Sequence, residues 1–330
     1  MKNAKILLCG LLATALIPIG AVAQTTGDFP NKPIRLVVPW APGGFTDLFG
    51  RMLAEKMSKS LNTSVVVENK SGASGSIGAS YVARSDPDGY TLLLSTSDAL
   101  VYAVNTTVNP NPTYDPVKDF EQISLMATQP VFLAVGKDVP ARNVSEFVAL
   151  AKKKDKSLTF GSSGEGSAVH LAMELFSDAA GMKLVHVPYK GITPALMDVL
   201  AGRVDAIFIS FQGGGNYFKS GELRPLAVTS LKRSAVEPDV PTLDESGYPG
   251  FQLTLWYAMV APDGTPRAVI EKLNTAVNAA LREPDLKEKL LAANTTPVGS
   301  TSTEADKFLA DEVKKWKGAV ETAKKKASKG

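Results

Sequence analysis

Short apolar runs rich in β-branched residues alternate with amphipathic helical patterns along the chain, and this alternation limits the possible folds more than any other feature. A crossover helix between two strands packs on one face of a parallel sheet. The sequence therefore predicts an α/β fold with mostly parallel sheets flanked by helices. The predicted strands are Ile34 to Val38, Val65 to Val67, Thr91 to Leu94, Val131 to Val135, Leu158 to Phe160, Val185 to Val187, Ala206 to Ile209 and Leu226 to Val228.

Helical patterns occupy segments between and after these strands, with apolar residues at three- and four-residue spacing. They cover Ser145 to Lys153, Ser167 to Ala180, Thr193 to Ala201, Ala268 to Leu281, Leu286 to Ala293 and Thr303 to the C-terminus. Two strand-like segments, Gln122 to Val135 and Phe251 to Val260, are unusually long. We interpret them as hinge strands between two lobes.

Two lobes are expected because a chain of about 300 residues exceeds what one core usually serves. We assign residues 24–126 and 252–330 to lobe 1 and residues 127–251 to lobe 2. The C-terminal helices should pack back on lobe 1. Because ligands of open α/β sheets bind at the carboxyl ends of strands, the site is expected in the cleft between the lobes.

The N-terminus has the pattern of a secretory signal peptide over residues 1–23. Lys2 and Lys5 precede an apolar run from Ile6 to Ile19, and Ala21-Val22-Ala23 forms a small-residue cleavage site. The run is shorter than the roughly 20 apolar residues of a spanning helix, which argues against the alternative of a membrane anchor. The mature chain is therefore predicted to begin near Gln24.

Charge and motifs exclude several classes of function. The formal net charge is only +3 over 330 residues, so nothing favours a nucleic acid as partner. His170 and His186 are the only histidines. They have no carboxylates at matching spacing, so we predict no metal site, and nothing in the sequence indicates a cofactor. The G-x-S-x-G elbow and the Gly-x4-Gly-Lys-Ser/Thr phosphate loop are also absent, so we predict no catalytic residue.

A turn rich in proline and glycine runs from Pro39 to Asp47 and joins the first predicted strand to a helix. Backbone N–H groups at a helix N-terminus have no intrahelical acceptor, and the helix dipole adds partial positive charge there. A carboxylate or phosphate can bind such a turn without a basic side chain. Asp47 is also suited to bracing the loop. The predicted ligand-binding residues of this turn are Gly43, Gly44, Phe45, Thr46 and Asp47.

A second turn of the same kind follows the strand Leu158 to Phe160 and precedes a helix. Two such turns that face each other would hold both ends of a dicarboxylate. Helix capping by Ser163 or Ser167, and a buried hydrogen bond for His170, are the alternative roles. The predicted site residues here are Ser163, Glu165, Gly166, Ser167 and His170.

Polar residues also follow two other predicted strands, with ordinary capping as the alternative role. The predicted site residues at these strand ends are Thr96, Ser97, Ser210 and Gln212. Phe211 and Phe45 are added because each places a large apolar ring in a predicted binding loop, where it would otherwise face water. Trp40 is assigned to the core.

Ordered motifs occur from end to end of the mature chain. They are Lys32-Pro33-Ile34-Arg35, the turn Pro39 to Asp47, Val67-Glu68-Asn69-Lys70, Gly72 to Gly78, Asp86-Pro87-Asp88-Gly89-Tyr90, Tyr114 to Phe120, His186-Val187-Pro188-Tyr189-Lys190-Gly191, Leu226 to Ser230 and Ala261 to Pro266. Together they resemble the periplasmic solute-binding proteins of tripartite tricarboxylate transporters, the Bug family.

The resemblance implies a type II-like periplasmic binding protein fold, in which two α/β lobes close over a small organic carboxylate. It implies a periplasmic receptor, expected to be a monomer, that delivers its ligand to membrane permease subunits, with hinge closure as the signal. Two other functions stay open. One is a sensor that docks on a signalling protein, and the other is a hydrolase or isomerase with a general base in the cleft.

The chain departs from the family pattern at Phe45, where a small residue is usual, and at Ile209 and Ser210, where Asp-Asn is frequent. Together with Phe211, these changes make the predicted cleft more apolar. We therefore expect an aromatic carboxylate such as a benzoate, phthalate or pyridine-carboxylate. Glu165 also departs from the usual small or amide residue, and its charge opposes a second carboxylate.

Overall fold

A computed structural model describes residues 29–105, 109–153 and 157–327, so the predicted signal peptide and its cleavage site lie outside the described residues. The strands in this part of the chain are β1 (Ile34–Val38), β2 (Val65–Asn69), β3 (Thr91–Thr96), β4 (Phe120–Gly136), β5 (Thr159–Ser162), β6 (Val185–Pro188), β7 (Ala206–Ser210), β8 (Leu223–Val228), β9 (Thr254–Pro262) and β10 (Thr296–Pro297). The helices are α1 (Phe45–Leu61), α2 (Ser76–Ala83), α3 (Ser97–Val104), α4 (Val144–Ala151), α5 (Ala168–Ala179), α6 (Ile192–Leu200), α7 (Phe211–Ser220), α8 (Arg267–Arg282), α9 (Pro284–Ala292) and α10 (Ser302–Ala327).

The strands form one mixed sheet in the order β2-β1-β3-β9-β4-β7-β5-β6, and β8 and β10 also pair with β4. Strands β1, β2 and β3 are parallel at one end of the sheet, and β5, β6 and β7 are parallel at the other. The pairs in the middle are antiparallel. Each predicted strand overlaps an observed one, so the α/β fold class is confirmed.

The two long predicted strands correspond to β4 and β9, which pair along most of their length. Beyond Pro130, β4 continues and pairs with β7 and β8, so one strand belongs to both halves of the sheet. Strand β9 begins at Thr254 and not at Phe251, because the chain before it bonds elsewhere: the amide of Leu253 donates to the carbonyl of Thr229 at 3.1 Å. The hinge role of these strands stays a prediction.

The C-terminal helices cover the sheet with their apolar faces. Helix α8 contacts α1 and β4, and α10 contacts β4 and α3, as predicted for lobe 1. Helix α10 also contacts α5, which lies in the predicted lobe 2. Trp316 of α10 is fully buried there and lines a groove with Ala172 and Leu175 of α5. Among the described helices, none is both long and apolar enough to cross a membrane.

Candidate ligand-binding site

A cleft of about 760 Å³ opens between the loops that follow β1, β3, β5 and β7, with β9 at its back. This position agrees with the expectation that ligands bind at the carboxyl ends of parallel strands. The structure brings together there several of the predicted site residues, whose ligand contacts remain predictions. They are Gly44, Phe45, Thr46, Thr96, Ser97, Ser163 and Ser210.

The turn after β1 is held by the buried carboxylate of Asp47. This carboxylate accepts hydrogen bonds from the amide of Gly43 at 3.0 Å, from Arg51 Nε at 3.0 Å and from Asn69 Nδ2 at 2.8 Å. The bond from Arg51, with those from Gly43 and Asn69, lowers the pKa of Asp47 to about 2 although burial opposes the shift. Asp47 and the Gly43 amide therefore brace the loop, and the structure does not support their predicted ligand contacts.

Two backbone N–H groups at the start of α1 remain available to a ligand. The helix begins at Phe45, after an extended Gly44 that provides no side-chain cap. Within the described residues, the amides of Phe45 and Thr46 have no hydrogen-bond acceptor. Both residues line the cleft, at the positive end of the helix dipole. This geometry suits a carboxylate, as the sequence predicted for this turn.

The second predicted turn uses much of its own hydrogen-bonding capacity. The amide of Gly166 donates to His170 Nδ1 at 3.0 Å, and the Ser167 hydroxyl accepts from the amide of His170 at 3.3 Å as a helix cap. These three residues lie outside the cleft lining, as does the exposed Glu165, whereas Ser163 lines the cleft. The structure therefore supports the alternative role of local capping for this turn.

The sequence analysis gave a buried, hydrogen-bonded position as the alternative to a ligand contact for His170. The structure shows this residue partly buried and hydrogen-bonded. Its ring stacks on that of His186 with centroids 3.8 Å apart, and His186 Nε2 lies 2.7 Å from Ser162 Oγ. Burial lowers the pKa of both rings to about 4, and for His170 the neighbouring His186 adds to the shift. Near neutral pH both rings are thus uncharged.

The strand end at β7 differs from the prediction because side chains alternate across a strand. Phe208 and Ser210 line the cleft, so the intervening Ile209 points to the opposite face and is buried in the core. Phe211 packs against Phe132 with ring centroids 6.3 Å apart, away from the cleft lining. The predicted contribution of Ile209 and Phe211 to an apolar cleft is therefore wrong.

Gln212 is exposed on α7 and also lies outside the cleft lining. The structure therefore gives no support to its predicted ligand contact.

Other aromatic side chains form the apolar wall. Phe45 lies beside Tyr257 with ring centroids 5.4 Å apart, and both line the cleft with Trp40, Phe208 and Trp256. Trp40, assigned to the core, does pack against it but is only partly buried and also lines the cleft. Its position next to the Pro/Gly turn was the available sequence signal.

Asp98 is a polar residue of the cleft that was not among the predicted site residues. Asp98 lines the cleft two residues after Thr96, and its Oδ1 accepts a hydrogen bond from the amide of Ala168 at 3.2 Å. Burial raises the pKa of Asp98. Thr96 Oγ1 and Trp40 Nε1 are buried without a hydrogen-bond partner in the described structure. The described residues contain no cluster of three or more potential metal ligands.

Comparison with known proteins gives one consistent family. Residues 49–324 match the Tripartite tricarboxylate transporter family receptor. Protein BugT of Bordetella pertussis is 36% identical over 314 residues, which cover 95% of this chain and 96% of that protein.

Solved structures agree with the sequence comparison. The periplasmic binding protein BugD is 36% identical with a TM-score of 0.79, covering 89% of this chain and 98% of that one. An R. palustris protein solved with adipate is 35% identical with a TM-score of 0.81, covering 90% of this chain and 98% of that one. The chain therefore belongs to the tripartite tricarboxylate transporter receptor family of periplasmic solute-binding proteins, as its motifs predicted.

Proposed function

We propose that this receptor captures a small aromatic carboxylate in the cleft and delivers it to the membrane permease subunits of a tripartite tricarboxylate-type transporter. The observation that carries the proposal is the pair of unpaired N–H groups of Phe45 and Thr46 beside aromatic walls. Each hydrogen bond to a carboxylate is worth about 1.5–3 kcal/mol. A flat ring then packs against the aromatic side chains of the cleft.

The hydroxyl groups of the lining complete the proposed carboxylate site. Ser97, Ser163 and Ser210 come from three different strand ends. We propose that the regions 24–126 with 252–330, and 127–251, close over the ligand through β4 and β9. The receptor acts as a monomer in the periplasm after removal of residues 1–23. The adipate bound by the R. palustris relative supports the carboxylate class of ligand.

Thermal melting of the mature protein with a ligand panel tests the proposal. The panel contains benzoate, phthalate and nicotinate, with hexanoate and adipate as aliphatic controls. A ligand at a hundredfold excess over its Kd should stabilise the protein by about 2.7 kcal/mol. A shift only with aliphatic acids would keep the receptor function and overturn the aromatic preference. No shift with any member would overturn the carboxylate assignment.

Asp98 gives the enzyme alternative a specific test, because a general base in the cleft requires a carboxylate with a raised pKa. Ligands that shift the melting temperature should be incubated with the protein for a day and then separated by chromatography. We expect unchanged ligand. Formation of a product would favour an enzyme over a receptor.

A further inference from the structure

The cleft contains one carboxylate whose hydrogen-bonding capacity is only partly used by the protein. Asp98 lies in the first turn of α3, and its carboxylate accepts from the amide of Ala168 at the start of α5 and from its own backbone amide. A carboxylate offers about four lone-pair sites, so these two bonds leave about half of the capacity for a ligand. Asp98 takes part in none of the ion pairs found in the part of the chain that the structure describes.

The neighbouring groups cannot neutralise this carboxylate. Burial and the nearby Asp98 raise the pKa of Tyr257, so its phenol stays protonated. The phenol donates a hydrogen bond to Gln129 Oε1 at 3.0 Å. Lys190 is the basic residue of the described cleft lining, and it is exposed to solvent. A partly buried acid without a paired cation opposes a negative charge placed directly beside it, whereas the N-terminus of α1 can still hold the carboxylate of the ligand.

We propose that Asp98 is a specificity-determining residue, which selects carboxylates that also carry a hydroxyl or ammonium donor and rejects dicarboxylates. The inference rests on the proposed function, because the carboxylate itself occupies the N-terminus of α1. The donor substituent gives its hydrogen bond to Asp98. A dicarboxylate would instead place a second anion beside Asp98.

Calorimetric titration with a matched benzoate series tests this selection. The substituent is hydroxymethyl, aminomethyl, methyl or carboxyl, each at the meta and the para position. We expect wild type to bind the best hydroxymethyl or aminomethyl compound at least tenfold more tightly than the dicarboxylate of the same geometry. In Asp98→Asn the amide oxygen still accepts from Ala168 but the charge is gone, and the ratio should fall below threefold.

Asp239→Asn is the matched control, because the same change removes a negative charge from an exposed residue outside the cleft lining. Its binding ratio should equal that of wild type. If the wild-type protein binds a dicarboxylate more tightly than the hydroxymethyl and aminomethyl compounds, the inference is overturned without any variant. An unchanged ratio in a folded Asp98→Asn protein also overturns it, while leaving the receptor function intact. Failure of wild type to bind any benzoate overturns both proposals.

Discussion

The indole N–H of Trp256 donates to Glu312 Oε2 at 3.0 Å, and this bond joins the wall of the cleft to the C-terminal helix. Trp316 donates to the same oxygen at 2.9 Å, and Glu312 is itself buried. Helix α10 therefore helps to position a side chain of the cleft, although none of the described lining residues belongs to it.

Glu312→Ala should lower the free energy of unfolding by about 2–4 kcal/mol, because two buried indole N–H groups lose their acceptor. It should also weaken benzoate binding through the displaced Trp256. Urea denaturation and calorimetry measure the two effects. The control is Asp311→Ala, since this exposed residue of the same helix pairs only with Lys307 in the described structure and should change stability by less than about 0.5 kcal/mol. Equal stability of the two variants would contradict the role of Glu312.

The contribution of the helix N-terminus can be separated from that of the aromatic ring at Phe45. Phe45→Ala removes the phenyl ring, whereas Phe45→Pro removes both the phenyl ring and the backbone N–H group. Proline is tolerated at the first residue of a helix, and Gly44 before it has φ −78° and ψ 170°, which suits a residue that precedes proline.

Phe45→Pro should bind benzoate roughly tenfold or more weakly than Phe45→Ala, because one charge-assisted hydrogen bond is lost. The melting temperatures of the two variants without ligand should be similar. Calorimetric titration gives the affinities. If the alanine and proline variants bind benzoate equally well, the carboxylate does not bind at this amide.

Asp47→Ala should destabilise the protein by about 2–3 kcal/mol, because the amide of Gly43 and the side chain of Asn69 lose a buried acceptor. Glu55→Ala on the exposed face of the same helix should be close to neutral. The pKa of Asp47 is about 2, below its ordinary value of 3.8. Its contribution is therefore present above pH 4 and is lost as the pH falls towards 2. Urea titrations at several pH values measure the loss as the difference between wild type and Asp47→Ala.

The stacked histidines predict a loss of stability in mild acid. Both pKa values are about 4, below the ordinary 6.5, so the unfolded chain binds more protons than the folded one between these values. The contribution of the pair is complete above pH 6.5 and falls as the pH decreases to 4. His170→Gln combined with His186→Gln should flatten this part of the stability curve, as measured by chemical denaturation. An unchanged slope would show that the rings titrate normally.

The elements that the sequence predicted correctly are those encoded over short distances. The period of apolar residues identifies β1 and α1, and the intervening prolines and glycines identify the turn at Phe45 and Thr46. The unpaired N–H groups of that turn follow from helix geometry alone, which is why they could be predicted.

Ser163 and Ser210 line the cleft as predicted, but other predictions at the second turn and at β7 are not supported, because the outcome depended on the direction of single side chains. Ile209 points into the core because its neighbours Phe208 and Ser210 face the cleft. The amide of Gly166 is used by His170, and no motif indicates such a bond. A one-residue change of strand register would have reversed the assignment of Ile209, and local patterns do not define register that sharply.

The sequence by itself determined the α/β alternation, the family and the start of α1 with its unpaired N–H groups, because each depends on neighbouring residues or on ordered motifs. Only the tertiary structure decided what the cleft contains. Asp98 bonds to Ala168 across 70 positions, and Trp256 bonds to Glu312 across 56. Such contacts depend on how distant segments pack, and the burial that shifts the pKa of Asp98 exists only after they have packed.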